Sequence, residues 1–329
     1  MTASPLPLKS MVMTKKFTFF AIGCLLLCSL SFPSCKKFTG SQTVPAYIHI
    51  DSITVEGDYY VYGASTSNIT DAWVYVDDQI LGCFELPATF PILEKGKHKV
   101  TVYAGICSDG RKAVRGPYPF YMPKVYEDMD LVEDSIVTIN PVVSYYPIGE
   151  GVMMEWTEDF ETGVGLLPTS QSDTSAFRIN GDEAWHSVNS FYSGKVVLPP
   201  DSLDFTIASG DELTCHTNLM GEKACFLEMD YKTNDTMFVG IMYYENYELV
   251  QWPMVKVLPT DNENPIPQKW NKIYINLGSL LHVHESANYF KVYFTSDLTV
   301  PENYHQHEYV PASKQRYYFF DNLKVLYRQ

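Results

Sequence analysis

The sequence predicts an all-β protein, and three observations lead to this fold class. Aromatic residues that favour strands are abundant, with 24 Tyr and 18 Phe in 329 residues. The 20 Pro and 19 Gly residues interrupt the apolar runs at short intervals, as turns between strands do. Long runs of Ala, Leu, Glu and Lys, which favour helices, are missing. These features together predict two β-sandwiches in succession.

The first 34 residues have the pattern of a secretory signal peptide. Lys15 and Lys16 give a positive start, 17–30 is an uncharged apolar run, and 31–34 is short and turn-forming. The apolar run is shorter than the ~20 residues that a membrane-spanning helix needs. We therefore expect segment 1–34 to be cleaved. The residues before Met13 fit no signal pattern, so Met13 is an alternative start of synthesis.

Cys35 follows this segment in the string Ser-Phe-Pro-Ser-Cys, which resembles the lipobox of Bacteroidota lipoproteins. The resemblance implies that Cys35 is the first mature residue. It would carry a diacylglycerol and a further acyl chain such as palmitate, and several chains make a stable outer-membrane anchor. Surface-exposed lipoproteins of this group tend to carry acidic residues after the cysteine, whereas Lys36 and Lys37 stand here. We therefore expect the periplasmic face of the outer membrane.

The next segments predict a tether, a first β domain and a linker. Residues 35–45 are polar and turn-rich, and 46–145 alternates short strand-like runs with Gly, Asp or Pro. Within this domain, 72–106 resembles a PEGA-type module of envelope proteins at Gly82, Gly96 and His98. Such modules are small Ig-like β-sandwiches without a common catalytic residue. Pro and Gly residues predict a linker at 146–153.

Residues 154–329 predict a larger jelly-roll β-sandwich. Three stretches, 159–161, 270–277 and 319–325, resemble the jelly rolls of carbohydrate-binding modules. The resemblance implies a structural calcium ion held by Asp159, Glu161 and Asp321, because the first and last strands of such domains lie side by side. The alternative is that Asp321 caps the last strand and that the other two are surface charges.

Four aromatic residues close together in the sequence are candidates for a sugar-binding platform: Tyr243, Tyr244, Tyr247 and Trp252. Aromatic faces pack well on the C–H surfaces of sugars. Because side chains of a strand alternate between its two faces, we expect two of the four to lie in the core.

Four cysteines remain after the anchor, two in each half of the chain. In an oxidising compartment, an even number in each domain predicts disulfides. The candidate pairs are Cys215–Cys225 and Cys83–Cys107, and two free thiols are the open alternative for Cys83 and Cys107. Their spacings are not those of a zinc site.

Charge and motifs restrict the function. The net charge of −15 argues against a nucleic-acid partner, because an acidic chain repels phosphate backbones. Glu228 and Asp230 match the first two positions of the Glu-x-Asp-x-x-Glu motif of concanavalin-like glucanases. Lys232 and Thr233 stand near the place of the third glutamate. Without that acid nothing protonates the leaving group, so we expect no enzymatic activity.

The sequence therefore predicts a lipid-anchored binding protein of the cell envelope. Its leading role is that of an adaptor that docks to an outer-membrane protein assembly. A glycan-binding lipoprotein of a polysaccharide-uptake system is the alternative, and a jelly-roll glycoside hydrolase is a weaker one. An aromatic platform would favour the glycan, a flat apolar patch the protein partner, and a cleft with a third carboxylate the hydrolase.

Overall fold

Strands make up nearly all the regular structure of the computed structural model. It describes residues 44–170, 172–200, 204–214, 224–245, 247–261, 263–278, 281, 289–296 and 314–328. The helix α1 in these ranges is the four-residue Tyr59–Tyr62. The all-β fold class is confirmed. No helix in the described part of the chain is long and apolar enough to cross a membrane. The signal peptide and Cys35 lie outside these ranges.

The first half of the described chain contains ten strands. They are β1 Ala46–Ile50, β2 Thr54–Glu56, β3 Asp71–Val76, β4 Gln79–Glu85, β5 Ala88–Ile92, β6 Gly96–Cys107, β7 Arg115–Pro117, β8 Lys124–Leu131, β9 Ile136–Ile139 and β10 Val142–Ser144. The largest sheet has the order β4-β3-β6-β7, and β8 also pairs with β6. A three-stranded sheet, β5-β1-β9, and a two-stranded sheet, β10-β2, complete this half.

The β3–β4 hairpin shows how local sequence determines this half. Its two-residue turn is Asp77 and Asp78, with φ values of 46° and 65°. Two-residue hairpin turns require positive φ, and Asp tolerates it better than most residues. The two aspartates between the apolar runs of β3 and β4 thus determine where the hairpin turns.

The second half contains eleven strands. They are β11 Val152–Glu158, β12 Leu166–Pro168, β13 Phe177–Asn180, β14 Tyr192–Leu198, β15 Thr206–Ser209, β16 Cys225–Thr233, β17 Met237–Glu245, β18 Glu248–Val257, β19 Asn271–Asn276, β20 Lys291–Thr295 and β21 Arg316–Arg328. They form a six-stranded sheet, β13-β14-β21-β16-β19 with β11 on β21, and a five-stranded sheet, β12-β15-β20-β17-β18.

These two sheets form a sandwich with one apolar core. Leu227 and Met229 of β16 face Val239 and Ile241 of β17 in this core. Alternation along β16 points Glu228, between the first two, to the outer face of the six-stranded sheet.

The first half packs on part of that outer face. Phe226, Tyr274 and Leu326 of the six-stranded sheet belong to the apolar core of the first half. Residues Ala46–Gln329 form one compact unit, so this interface lies inside a single unit. The domain boundaries at 145 and 154 stay a prediction.

Candidate binding site

A cleft opens between two loops that lie over the outer face of the six-stranded sheet. Its volume is about 390 Å³, within the range of roughly 300–1,000 Å³ that is usual for small-molecule sites. One wall is segment 57–66 of the first half, and the other is segment 185–189 of the second half. The side chains on the walls include Tyr59, Ser65, Thr66, Trp185, Ser187 and Asn189.

The first wall is held by two buried lysines of the six-stranded sheet. Lys324 Nζ donates a 2.9 Å hydrogen bond to the carbonyl oxygen of Ala64. Lys272 Nζ donates a 3.0 Å bond to Thr66 Oγ1. Gly63 has φ = 70°, and an added Cβ would lie 3.2 Å from Lys324 Cε. Glycine is therefore required where the loop crosses this lysine.

The second wall is held by a relay of hydrogen bonds that ends on β21. The backbone N–H of Trp185 donates to Ser193 Oγ at 2.8 Å. Ser193 Oγ donates to Asp321 Oδ2 at 2.5 Å. The indole of Trp185 meets the indole of Trp270 edge to face, with ring centroids 6.2 Å apart. The wall is thus fixed through both its backbone and its ring.

The cleft offers aromatic rings beside small polar side chains. The indole Nε1 of Trp185 is buried and has no hydrogen-bond partner in the part of the chain that the structure describes. A buried donor without an acceptor costs about 1–3 kcal/mol. A ligand with an acceptor group would remove this cost, so the orphan N–H is a feature that favours binding.

Glu228 lies beneath the first wall and is fully buried. Its carboxylate accepts bonds from Tyr118 (2.8 Å), Tyr145 (2.9 Å to each oxygen) and Lys272 (2.9 Å). Burial raises the pKa of Glu228, but the charges of Lys272 and Lys324 outweigh it and leave the pKa below its ordinary value. The carboxylate is therefore ionised, paired and covered by the first half.

Asp230 is also buried. Asn322 Nδ2 donates to its Oδ2 at 2.8 Å, and Lys272 Nζ lies 3.8 Å from its other oxygen. Every residue of β16 is buried. Alternation of polar and apolar residues along β16 would by itself indicate that Glu228 and Asp230 lie on the solvated face of a half-buried strand. This interpretation is wrong, because the first half covers that face.

The predicted calcium ligands come together around Tyr59. Its hydroxyl donates to Asp159 Oδ2 at 3.3 Å. Burial raises the pKa of Tyr59, and the charges of Asp159, Glu161 and Asp321 raise it further. Strands β11 and β21 pair side by side, as expected for the first and last strands.

Several carboxylate oxygen atoms of the predicted calcium ligands already accept hydrogen bonds from the protein. Asp159 Oδ1 accepts from the backbone N–H of Glu161, and Glu161 Oε1 accepts from the N–H groups of Phe191 and Tyr192. No group of three or more His, Cys, Asp or Glu side chains in the described ranges is arranged to hold a metal ion. The calcium ion stays a prediction.

Asp321 has the most perturbed carboxyl group near the cleft. Burial raises the pKa of Asp321 to about 8, and the charges of Asp230 and Asp159 add to the increase. The bonds from Ser193 and from the backbone of Asn322 act in the opposite direction. At pH 7 this anchor of the second wall is therefore largely neutral.

A row of aromatic and lysine side chains crosses the sheet beside the cleft. Lys232 of β16 and Lys195 of β14 both pair in register with Phe319 of β21, and Trp270 lies just before β19. Lys195 forms an ion pair with Glu183 at 2.6 Å. Lys232 Nζ lies 5.1 Å from the ring centroid of Trp270 and 4.5 Å from that of Phe319.

The four aromatic residues singled out from the sequence lie elsewhere. Tyr243 belongs to the core of the sandwich. Tyr244, Tyr247 and Trp252 are exposed on the β17–β18 hairpin. None of the four lines the cleft.

Cys83 and Cys107 are free thiols. They lie on β4 and β6, which both pair with β3. Two strand spacings amount to about 9.6 Å, beyond the ~6.8 Å that a disulfide allows between Cα atoms. Cys83 and Cys107 therefore form no disulfide with each other, which is the free-thiol alternative for this pair. Cys225 is buried in β16, whereas Cys215 lies outside the described residues, so that bridge stays a prediction.

Sequence reasoning missed Tyr59 and Trp185. Trp185 stands alone in the polar stretch 181–190, where it cannot continue a strand pattern, and this isolation was the available signal. The walls of the cleft are more than one hundred residues apart in the chain, so no local pattern relates them.

No known protein family and no curated protein matches the sequence. Among solved structures, a family 30 carbohydrate-binding module of a Clostridium thermocellum cellulosomal cellulase is 10% identical. It has a TM-score of 0.34, over 53% of this chain and 96% of that one. The CBM22-1-CBM22-2 tandem domain of Paenibacillus barcinonensis Xyn10C is 11% identical. It has a TM-score of 0.33, over 80% and 75% of the two chains.

The cleaved adhesin domain of Lys-gingipain from Porphyromonas gingivalis is also similar. It is 11% identical, with a TM-score of 0.30, over 52% of this chain and 96% of that one. At such scores the function proposed below rests on the cleft itself.

Proposed function

We propose that this chain is a non-enzymatic binding protein of the cell envelope that takes an oligosaccharide in the cleft. The observation that carries the proposal is the lining. Trp185 and Tyr59 lie beside hydroxyl and amide side chains, and the buried indole N–H of Trp185 has no acceptor among the described residues. Sugars present C–H faces to aromatic rings and hydroxyl oxygens to such donors.

The walls support this role because they are fixed before a ligand arrives. Lys324 and Lys272 hold one wall, and Ser193 on Asp321 holds the other. A rigid site loses little conformational entropy on binding, which favours weakly interacting ligands such as sugars.

The proposal is tested by affinity electrophoresis of the purified chain in gels that contain soluble neutral and acidic polysaccharides. Trp185→Ala should abolish the retardation by the polysaccharide that binds the wild type. Trp252→Ala, the same change on the exposed hairpin, is the matched control and should leave retardation unchanged. Equal retardation of both variants would place binding elsewhere, and no retardation of the wild type by any polysaccharide would refute the proposal.

The environment of Glu228 supports the non-enzymatic part. Its carboxylate is buried and held ionised by Lys272, whereas a general acid must be protonated and must reach the substrate. We expect no new reducing ends when the protein is incubated with β-glucans. Cleavage that disappears in Glu228→Gln would promote the hydrolase hypothesis.

The membrane anchor belongs to the proposal as well, because Cys35 lies outside the described residues. Metabolic labelling with a fatty-acid analogue should mark the wild type, and Cys35→Ala should lose the label completely. Retention of the label in the variant would exclude Cys35 as the acylated residue.

Docking to an outer-membrane protein is the second candidate function. Apolar side chains are exposed along the β17–β18 hairpin, at Tyr244, Tyr247, Leu249 and Leu258. Among the described strands, β18 is an edge of the five-stranded sheet, where another chain can pair. Cross-linking in intact envelopes should then depend on Tyr247→Ala and not on Trp185→Ala. The reverse dependence would favour the cleft.

A further inference from the structure

Lys232 is a buried cation without a partner. The residue is only 1% exposed. Its Nζ forms no hydrogen bond or ion pair with any residue that the structure describes. The rings of Trp270 and Phe319 are its neighbours. Burial lowers its pKa to about 8, where it is still mostly charged at pH 7. Glu183 acts on this charge from a distance, but buried charges in proteins are almost always paired directly, and among the described residues Lys232 has no acceptor at hydrogen-bond distance.

The other buried lysines on the same face each have an acceptor. Lys272 meets Glu228, Lys324 meets the carbonyl of Ala64, and Lys195 meets Glu183. The protein thus provides an oxygen acceptor for three of these four ammonium groups. Lys232 is as buried as these lysines, but it has no direct acceptor among the described residues.

Lys232 lies within reach of a ligand in the cleft. The Trp185 indole lines the cleft and touches Trp270, whose centroid is 6.2 Å away. The ammonium of Lys232 is 5.1 Å from the same Trp270 ring. Trp270 therefore contacts both the wall of the cleft and the ammonium of Lys232.

We infer that Lys232 binds the anionic group of the cleft's ligand, and that this ligand is an acidic oligosaccharide with uronic acid carboxylates. The inference rests on the proposed function and names its substrate class. Charge-assisted hydrogen bonds are about twice as strong as neutral ones, so a carboxylate is the acceptor that this site favours over a hydroxyl.

Two features of the row support a carboxylate. Glu183 already places one against Lys195, so the row accommodates this group. Burial has the largest effect on the pKa of Lys232 and lowers it, the charge of Glu183 raises it, and the repulsion from Lys195 lowers it again. A ligand carboxylate between the two would neutralise that repulsion.

The test is isothermal titration of the purified chain with tetragalacturonate and with its fully methyl-esterified form. The two ligands have the same sugar backbone, and the methyl esters remove the negative charges of the carboxylates. We expect the wild type to bind the acid at least about tenfold more tightly than the ester, which corresponds to a difference of about 1.4 kcal/mol in binding free energy. Lys232→Met, of similar length, should bind the two forms equally. Lys124→Met, on the exposed surface of the first half, removes the same charge and should keep the preference.

The outcomes separate this inference from the function on which it rests. Equal binding of acid and ester to the wild type, lost in Trp185→Ala, would overturn the inference and leave the sugar-binding function intact. Binding of neutral glucan oligosaccharides alone would do the same. If no oligosaccharide binds, both are refuted. Because the acid and the ester are compared on the wild type, the test does not depend on the folding of Lys232→Met.

Discussion

Two lysines on one face of the six-stranded sheet have nearly the same burial and different surroundings. Lys272 is 4% exposed and Lys232 is 1% exposed. Lys272 bonds Glu228 and Thr66 and lies close to Asp230, under the first half of the chain. Lys232 lies beside the cleft, against two aromatic rings, and its ammonium has no hydrogen bond or ion pair with a described residue.

This difference distinguishes a charge that stabilises the fold, that of Lys272, from a charge that is available to a ligand, that of Lys232. Where the first half covers the sheet, every oxygen of Glu228 has a donor, and the network joins the two halves. Beside the cleft, the Lys232 ammonium and the Trp185 N–H lack protein partners among the described residues. Burial alone would have classified both regions as interior.

The largest expected effect is on the paired lysine. Lys272→Met should lower the free energy of unfolding by about 3–5 kcal/mol, because it leaves Glu228 as a buried and partly unpaired charge. Denaturation by urea, followed by tryptophan fluorescence, measures the change. Lys124→Met serves as the exposed control and should shift the value by less than about 0.5 kcal/mol. A loss below about 1 kcal/mol for Lys272→Met would mean that the network does not hold the halves together.

An intermediate effect is expected from Asp321, the anchor of the second wall. Its pKa rises from an ordinary 3.8 to about 8 in the folded protein, mainly through burial. The unfolded chain therefore binds fewer protons than the folded one between these values, and stability falls as the pH rises toward 8.

Asp321→Asn keeps the shape and removes the titration. Between about pH 5 and pH 8, the wild type should lose at least ~1 kcal/mol more of its free energy of unfolding than the variant. Urea denaturation at several pH values measures both slopes. Parallel slopes in the two proteins would show that Asp321 does not titrate in this range.

The smallest effect sharpens the comparison most. Lys232→Met should change the free energy of unfolding by less than about 1 kcal/mol, or increase it, because the variant removes a desolvated charge that has no partner. The same measurement as for Lys272→Met applies. A loss of about 3 kcal/mol or more would show that Lys232 is a structural residue like Lys272.

The strands were predictable because their signals are local. Alternation along Phe226–Lys232, the turn at Asp77 and Asp78 and the Gly and Pro punctuation all depend on neighbours in sequence. The pairing of the first and last strands of the second half was also expected, and β11 does pair with β21.

The site was not predictable by the same means. Polar residues at alternate positions of β16 indicate a solvated face, and only the packing of Tyr118 and Tyr145 against Glu228 turns that face into an interior. Tyr59 and Trp185 line the same cleft although they are far apart in the chain. The aromatic cluster at Tyr243–Trp252 was prominent in sequence, yet one ring lies in the core and three lie on a hairpin.

Strand β21 anchors both walls of the cleft. Asp321 holds the second wall through Ser193, and Lys324 holds the first through Ala64. It is the last strand that the structure describes, and it pairs with β11, β14 and β16. During synthesis the earlier strands emerge first, so neither wall can be set until this strand has been added. A chain that lacks β21 would therefore have neither wall of the cleft anchored, even if all the earlier strands had formed.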